Sequence, residues 1–260
     1  MGQLSPISIK PPYGSGLNMR LYCNGTIILN EEFALPETAA HHARVVRAQV
    51  GDLLDLFNGD GYAYLAQISR MERKHVFVLV QNKEQQHRES PFPIHLAVVL
   101  SKGDRLDWSL QKATELGIHR ISLLTSSRCE VHLRGEDRLD RKMQHWQQVI
   151  ISACEQSGRC CIPQLTQPAP LQDFLQRVDD TNDRIFLEPS AHTGITQLQV
   201  APGQGITLLV GPEGGWSDEE RSQMVHSGCQ ATRLGPRILR TETAPLAAIA
   251  VLQGLYGDLH

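Results

Sequence analysis

Two glycine-bearing segments near the C-terminus follow short apolar runs: Gly211-Pro212-Glu213-Gly214-Gly215-Trp216 and Leu234-Gly235-Pro236-Arg237-Ile238-Leu239-Arg240-Thr241-Glu242-Thr243-Ala244. The apolar runs are typical of β-strands, so each segment is predicted to begin where a strand ends. Glycine has no Cβ, and such a loop leaves backbone N–H and C=O groups open to a flat ligand. One loop of this kind could be a simple tight turn. Two of them at the carboxyl ends of strands predict a shared ligand site.

The first loop, Gly211 to Gly215, does not have the spacing of a common phosphate-binding motif. It matches neither Gly-x-x-x-x-Gly-Lys-Ser/Thr nor Gly-x-Gly-x-x-Gly. The sequence therefore argues against an ordinary NTPase or dinucleotide-dependent enzyme.

Composition bounds the remaining possibilities. The chain has 260 residues, of which 41% are hydrophobic, so it can fill two modest cores. The longest strongly apolar stretch, residues 244–255, is too short to span a bilayer, and a signal-peptide layout is not found at the N-terminus, so we expect a cytoplasmic protein without a membrane partner. The six cysteines form no Cys-x-x-Cys pair and are predicted to be reduced thiols. A net charge of −3 gives no global sign of a nucleic-acid partner.

Hydrophobic periodicity predicts two domains. Residues 1–18 are rich in Pro, Gly and Ser and are expected to form a disordered leader. Residues 19–80 contain short β-type runs, which predict a small β-barrel-like domain, and residues 81–93 are polar and predict a linker. In residues 94–260 strands and helices alternate, which predicts an α/β domain with a parallel sheet covered on both faces.

In the first domain, strands are predicted at residues 25–29, 53–57, 62–68 and 75–80, and Asn58-Gly59-Asp60-Gly61 is a strong hairpin signal between the second and third. A helix is predicted over residues 39–48. Basic side chains cluster on this helix and near residue 72, and they are either RNA-contacting groups or a solvated face. The candidates for RNA contact are His42, Arg44, Arg47, Arg70 and Lys74.

In the second domain, the strongest helix predictions are residues 104–116, which end at Gly117, and residues 136–157, which end at Gly158. Ser217-Asp218-Glu219-Glu220 is a capping box that begins a helix to about His226. Pro245 lies near the first turn of a final apolar helix. Strands are predicted at residues 94–100, 121–125, 185–187, 206–210 and 231–234.

Several strings of residues carry a resemblance to a known family. Gly211–Trp216 and Leu234–Ala244 resemble the last two motifs of the SPOUT class of knotted methyltransferases. Within that class the chain resembles the ribosomal small subunit methyltransferase E family, which methylates N3 of uridine 1498 in 16S rRNA. Gln111–Gly117, Ala153–Arg159 and the turn at residues 58–61 also match, so the resemblance runs from about Met19 to the C-terminus.

The resemblance implies properties that composition does not show. It implies a C-terminal deep trefoil knot that binds S-adenosylmethionine, a PUA-like or OB-like N-terminal domain that holds RNA, and a homodimer. The default of right-handed, unknotted connections would instead predict an ordinary doubly wound sheet. No metal is expected, because methyl transfer does not require one.

Carried onto this chain, the resemblance places the methyl donor among three loops. The implied cofactor-binding residues are Leu187, Glu188, Pro189, Gly211, Glu213, Gly214, Gly215, Leu234, Gly235, Ile238 and Leu239. Because uracil N3 is protonated at neutral pH, its methylation requires a base or a cation that stabilises the uracil anion. Arg240 is the predicted cation, and Glu242 is predicted to orient it or to relay the proton. Glu155 and Arg159 are further candidates for the same cleft.

Two other functions remain open at this point. One is a non-catalytic RNA-binding or ribosome-assembly factor. The other is a methyltransferase of the same class whose acceptor is ribose 2′-O or another base, which the fold alone does not exclude.

Overall fold

The computed structural model describes residues 17–131, 135–176 and 182–260. The chain forms two compact units. The first contains residues up to Arg88 together with Gly158–Cys161, and the second contains Glu89–Ser157 and Ile162–His260. The predicted leader lies outside the described residues, except for its last two positions, which belong to the first strand.

The first unit is built on a five-stranded sheet in the order β1-β3-β4-β5-β2. Strands β1 and β3 are parallel, and the other neighbours are antiparallel. Its elements are β1 (Leu17–Tyr22), β2 (Glu32–Ala34), α1 (Glu37–Val45), β3 (Leu53–Phe57), β4 (Tyr62–Met71) and β5 (Val76–Gln85).

The hairpin prediction is confirmed, because β3 and β4 pair in antiparallel register and Gly59 and Gly61 both adopt positive φ between them. The strand predicted at residues 25–29 is wrong. Ile28 and Leu29 stay exposed in a turn, so their apolar character does not reflect sheet packing. Strand β5 continues to Gln85 and therefore occupies the first part of the predicted linker.

The segment Gly158–Cys161 joins the first unit through Arg20 on β1. The Arg20 guanidinium pairs with Asp55 and donates a 2.9 Å hydrogen bond to the carbonyl of Arg159. The same guanidinium contacts the Cys160 sulfur, and the Gly61 N–H donates to the carbonyl of Cys160. Burial raises the pKa of the Asp55 carboxyl, although the guanidinium of Arg20 opposes the shift.

The second unit is built on a six-stranded, wholly parallel sheet in the order β11-β9-β10-β6-β7-β8. The strands are β6 (Ile94–Val99), β7 (Arg120–Thr125), β8 (Gln164–Pro170), β9 (Asp183–Leu187), β10 (Ile206–Val210) and β11 (Gln230–Thr232). The helices are α2 (Arg105–Glu115), α3 (Glu136–Ser157), α4 (Leu171–Leu175), α5 (Asp218–His226) and α6 (Thr243–Tyr256), with a 3-10 turn at Ile195–Gln197.

The central strands β6 and β10 are buried at every position, as expected for a parallel sheet covered on both faces. Helix α2 packs on α3 and α6, whereas α4 packs on α5. The predicted capping box is present: the Ser217 side chain accepts from the Glu220 N–H, and the Glu220 carboxylate accepts from the Ser217 N–H. No described helix is both long and apolar enough to cross a membrane.

The strand order places the carboxyl ends of four neighbouring strands, β11, β9, β10 and β6, at one edge of the sheet. Because all of them are parallel, the segments that follow these strands leave the sheet on the same side. This arrangement brings together residues that are far apart in sequence.

Candidate functional site

A cleft of about 530 Å³ lies at this edge of the second unit. Its walls are the segment after β9, the loop after β10, the loop between β11 and α6, and Arg105 at the start of α2. Of the residues predicted to form a site, those that line it are Leu187, Glu188, Pro189, Gly211, Glu213, Gly215, Leu234, Gly235, Ile238, Leu239, Arg240 and Glu242.

Glu188 is the most enclosed acidic group of the cleft, with only 8% of the residue exposed. Its carboxylate accepts from Arg221 Nε at 2.6 Å and from the Ser190 hydroxyl and N–H at 2.8 and 3.2 Å. Burial alone would raise the pKa of Glu188, but the hydrogen bonds from Arg221 and Ser190 outweigh it and hold the pKa below its ordinary value. Glu188 is therefore a fixed anion that anchors the first loop to α5.

Arg105 ties the second and third loops together. Its Nη1 donates to Glu213 at 2.7 Å, and its Nε lies 3.9 Å from the Glu242 carboxylate. Within the described ranges Glu242 thus has an ion pair with Arg105 and none with Arg240, and its predicted role of orienting Arg240 or relaying the proton stays a prediction. Sequence reasoning missed Arg105. Its position at the start of the helix that follows β6, a strand of the parallel sheet, was the available signal.

Two glycines of the second loop have different neighbours. Gly211 lies against Trp216, which is 2% exposed, and a Cβ at Gly211 would come within 3.0 Å of the indole ring. Gly214 is not among the described lining residues. A Cβ there would meet Arg128 at 3.3 Å, and Arg128 donates to the Gly214 carbonyl at 2.8 Å. Gly214 therefore contacts Arg128 and does not form part of the described cleft wall.

Gly235 in the third loop has a backbone conformation that favours glycine. Its φ is +114°, and a Cβ placed on it would meet no atom within 4 Å. The backbone of this lining residue is thus open to a ligand, and the obstacle to a side chain is strain rather than crowding.

We expect Gly235→Ala to lower the free energy of unfolding by about 1–2 kcal/mol, because an L side chain strains the backbone at this φ. Chemical denaturation measures the loss. Gly203→Ala is the matched control, since Gly203 also has positive φ and open space but lies outside the cleft. Both variants should lose stability, and only the Gly235 variant should also bind its ligand less tightly. Equal ligand affinity in the two variants would contradict a role for this loop.

Three arginines of the third loop line the cleft: Arg233, Arg237 and Arg240. All three are exposed, and within the described ranges none of them forms an ion pair. The backbone is anchored at two of them. The Arg240 carbonyl accepts from the N–H groups of Thr243 and Ala244 at 2.9 Å just before α6, and Arg233 exchanges backbone hydrogen bonds with Thr193 and Ile195 at 2.9 and 3.0 Å. The cleft therefore presents uncompensated positive charge at its rim, where an anionic or electron-rich group could bind.

The structure does not place Glu155 and Arg159 among the described lining residues. Glu155 lies on α3, which packs on α2 through the face that buries Trp146 and Ile150. Arg159 is buried within the first unit, where its carbonyl accepts from Arg20. Their predicted approach to the cleft has no support in this lining and stays a prediction.

The predicted basic residues of the first unit differ in whether a carboxylate neutralises their charge. Arg70 is compensated: it donates to Glu72 at 2.7 Å, lies 3.6 Å from Glu32, and stacks over Phe77. Arg44 donates to the carbonyl of Glu72 at 3.1 Å and has no carboxylate partner in the described ranges. The side chains that are exposed and make no ion pair with any described residue are His42, Arg47 and Lys74.

Metal chemistry has no visible basis in the described ranges, where no group of three or more His, Cys, Asp or Glu side chains could hold a metal ion.

Comparison with protein families gives two matches that follow the two units. Residues 88–253 match an RNA methyltransferase domain, and residues 35–81 match an RNA methyltransferase PUA domain. Together these matches include every cleft residue described above.

Similar proteins cover nearly the whole chain. Ribosomal RNA small subunit methyltransferase E of Buchnera aphidicola subsp. Schizaphis graminum is 33% identical over 92% of this chain and 97% of its own length. The Bacillus subtilis protein of the same name is 31% identical over 85% of this chain and 89% of its own. The crystal structure of ribosomal RNA small subunit methyltransferase E from Neisseria gonorrhoeae bound to S-adenosyl methionine is 35% identical, with a TM-score of 0.87 over 93% of this chain and 99% of that one.

Proposed function

The chain belongs to the ribosomal RNA small subunit methyltransferase E family, and from this membership we propose that it transfers a methyl group from S-adenosylmethionine to N3 of uridine 1498 in 16S rRNA. The observation that carries the proposal is the cleft at the ends of β11, β9 and β10, which is built by the loops that resemble the family's motifs. A related structure from Neisseria gonorrhoeae holds S-adenosyl methionine.

The cleft fits the methyl donor by size and by lining. Its volume of about 530 Å³ lies within the range of small-molecule sites. Leu187, Val210 and Leu239 supply apolar surface for an adenine ring, and the open backbone at Gly235 permits close approach. When bound, the donor supplies an activated methyl group on a sulfonium. The chain's own residues then have to place the uracil and stabilise its charge.

We assign charge stabilisation to Arg240. Removal of the N3 proton leaves negative charge on the uracil ring, and a guanidinium whose backbone is anchored just before α6 can bind that charge more strongly as it develops. Glu242 is paired with Arg105, so we assign it to holding the rim of the cleft, and proton relay through its carboxylate remains part of the proposal.

Mass spectrometry of 16S rRNA from cells that lack this protein tests the function directly. The 3-methyluridine at position 1498 should be missing, and purified protein with S-adenosylmethionine should restore it on isolated small subunits. If a 2′-O-methyl group or another modified base is missing instead, the acceptor differs from the proposed uridine N3. Unchanged rRNA, together with donor binding that calorimetry does not detect, would favour an assembly factor.

We propose that the first unit, which matches the PUA domain of RNA methyltransferases, is a barrel-like domain that docks the rRNA. Phosphate contacts are assigned to His42, Arg44, Arg47 and Lys74, because carboxylates do not neutralise these side chains within the described ranges. Arg70 is a weaker candidate because Glu72 and Glu32 already compensate its charge.

We expect the double variant Arg47→Ala with Lys74→Ala to flatten the salt dependence of RNA binding by about two units of slope, one for each phosphate that a basic side chain no longer neutralises. Titrations of RNA at several salt concentrations measure it. Arg70→Ala is the control of equal charge type and should change the slope less. A double variant with the wild-type slope would assign these residues to a solvated face.

The finer features of the fold also belong to the proposal. We propose that the parallel sheet carries the deep trefoil knot of the SPOUT class near the third loop, and that the protein works in the cytoplasm on the small ribosomal subunit.

We further propose a homodimer through α6. Helix α6 buries Ala248, Ile249 and Leu252 within its own chain, but Leu255 on the same helix is 47% exposed. Light scattering should give twice the chain mass of 29.0 kDa. Leu255→Glu should shift the mass towards that of one chain, whereas Leu259→Glu, beyond the end of α6, is the control. If the wild-type protein has the mass of one chain at micromolar concentration, the dimer proposal is wrong.

A further inference from the structure

A second, wider depression adjoins the proposed donor cleft. It is lined by Lys102, Gly103, Asp104, Arg105, Trp108, Glu130, Glu213 and Glu242. Arg105, Glu213 and Glu242 line both cavities, so the two are continuous across this ion-paired rim. The depression is therefore within reach of the nucleotides next to a base held in the cleft.

Trp108 is the unusual residue of this depression. It lies on α2 with 53% of its surface exposed, whereas Trp146 and Trp216 are 4% and 2% exposed. Tryptophan is highly buried on average in folded proteins. The Lys112 ammonium lies 5.2 Å from the Trp108 ring centroid and is itself held by Glu115 at 2.7 Å. The ring therefore has a cation near it and a large part of its surface open to a ligand.

The charges around Trp108 disfavour a phosphate and suit an uncharged flat group. Lys102 is paired with Glu130, and Arg105 is paired with Glu213 and Glu242. The lining thus has more carboxylates than cations, and both of its cations are already compensated. A nucleobase can bind such a surface through stacking, which every base permits.

We propose that Trp108 is a stacking platform for a nucleobase next to the acceptor uridine, and that it positions the RNA strand for methyl transfer. This inference rests on the proposed function. The base on Trp108 is a neighbour rather than the acceptor, because Trp108 lines the outer depression and is absent from the described lining of the donor cleft. Trp108 is thus a positioning residue for the RNA.

Steady-state kinetics on small subunits from cells lacking the protein test the proposal. Trp108→Ala and Trp108→Leu should each raise KM for the subunit about tenfold, which corresponds to the loss of one stacked base. Trp108→Phe should fall between these variants and the wild type, and donor affinity should stay unchanged in all of them. Val225→Ala is the control, since Val225 on α5 is 57% exposed and lies outside both cavities.

A binding measurement separates failure of this inference from failure of the proposed function. Trp108 is the only exposed tryptophan among the three in the sequence, so acrylamide quenching of fluorescence reports mainly on it. A single-stranded RNA containing the acceptor uridine and its neighbours should protect Trp108, and the same RNA with abasic neighbours should not. This result stands even if the wild type transfers no methyl group.

Several outcomes would overturn the stacking role. They are a wild-type KM in Trp108→Ala, a wild-type KM in Trp108→Leu, and fluorescence that the RNA does not protect. A lower mass of Trp108→Ala in light scattering would assign the ring to contact with a second copy of the chain instead.

Discussion

Arg240→Ala lowers the rate of methyl transfer in a single turnover by about 10² or more, while the affinity for S-adenosylmethionine changes little. The expectation follows from a cation that is exposed to the cleft and forms no ion pair with the described residues, and whose backbone carbonyl accepts two hydrogen bonds just before α6. Loss of one preorganised electrostatic donor typically costs this much. Arg240→Lys should recover only part of the rate, because an ammonium does not reproduce the planar guanidinium.

Arg237→Ala is the matched control for this experiment. Arg237 lies on the same loop, lines the same cleft and forms no ion pair within the described ranges. Its neighbour Ile238 is 86% exposed, and no backbone hydrogen bond like those of Arg240 anchors Arg237 among the described residues. Its replacement removes the same charge and should change turnover much less. Equal losses in the two variants would mean that total charge matters and not the position of Arg240. A collapse of donor affinity in Arg240→Ala would move this residue to donor binding.

Arg221→Ala destabilises the second unit and weakens donor binding together. The substitution leaves the enclosed Glu188 carboxylate with only its Ser190 hydrogen bonds. Loss of a hydrogen bond to a buried charged group costs about 1.5–3 kcal/mol, and solvent around the partly exposed Arg221 brings the expected loss to about 2 kcal/mol. Because Glu188 lines the cleft, the loop after β9 should also hold the donor less well. Chemical denaturation and calorimetry measure the two effects.

The same pair predicts a pH dependence. The folded-state pKa of Glu188 lies below its ordinary value of 4.5, so its ionised form stabilises the fold above that pH. This contribution is lost as the pH falls below 4.5 and through the lower folded pKa. The free energy of unfolding of the wild type should therefore fall more steeply in this acid range than that of Arg221→Ala.

Ser190→Ala is the control for the pair, since it removes only the hydroxyl hydrogen bond and keeps the Ser190 N–H and Arg221. Its loss of stability should be smaller than that of Arg221→Ala. If Arg221→Ala unfolds with wild-type stability and the same acid slope, Glu188 does not depend on its guanidinium.

Local signals were enough to predict many elements of this protein. The helix at residues 136–157, the hairpin turn at residues 58–61 and the capping box at Ser217 are formed as predicted. Each rests on interactions between residues a few positions apart, and such interactions can be read from periodicity, capping and glycine. The failed strand at residues 25–29 shows the limit, because apolar character alone does not create a sheet partner.

The sequence by itself determined a parallel sheet with two glycine-bearing loops at strand ends, because periodicity and glycine are local signals, and the resemblance added the third loop. Strand order came only from the tertiary structure, since pairing joins residues far apart in sequence. Only the tertiary structure decided which charges meet at these loops. Arg105 and Glu213 are 108 positions apart, and Arg221 and Glu188 are 33 apart, so no local pattern joins them. Helix packing likewise decided that Glu242 faces Arg105 and that Arg240 stays unpaired among the described residues, because side chains compete for partners in space and not along the chain.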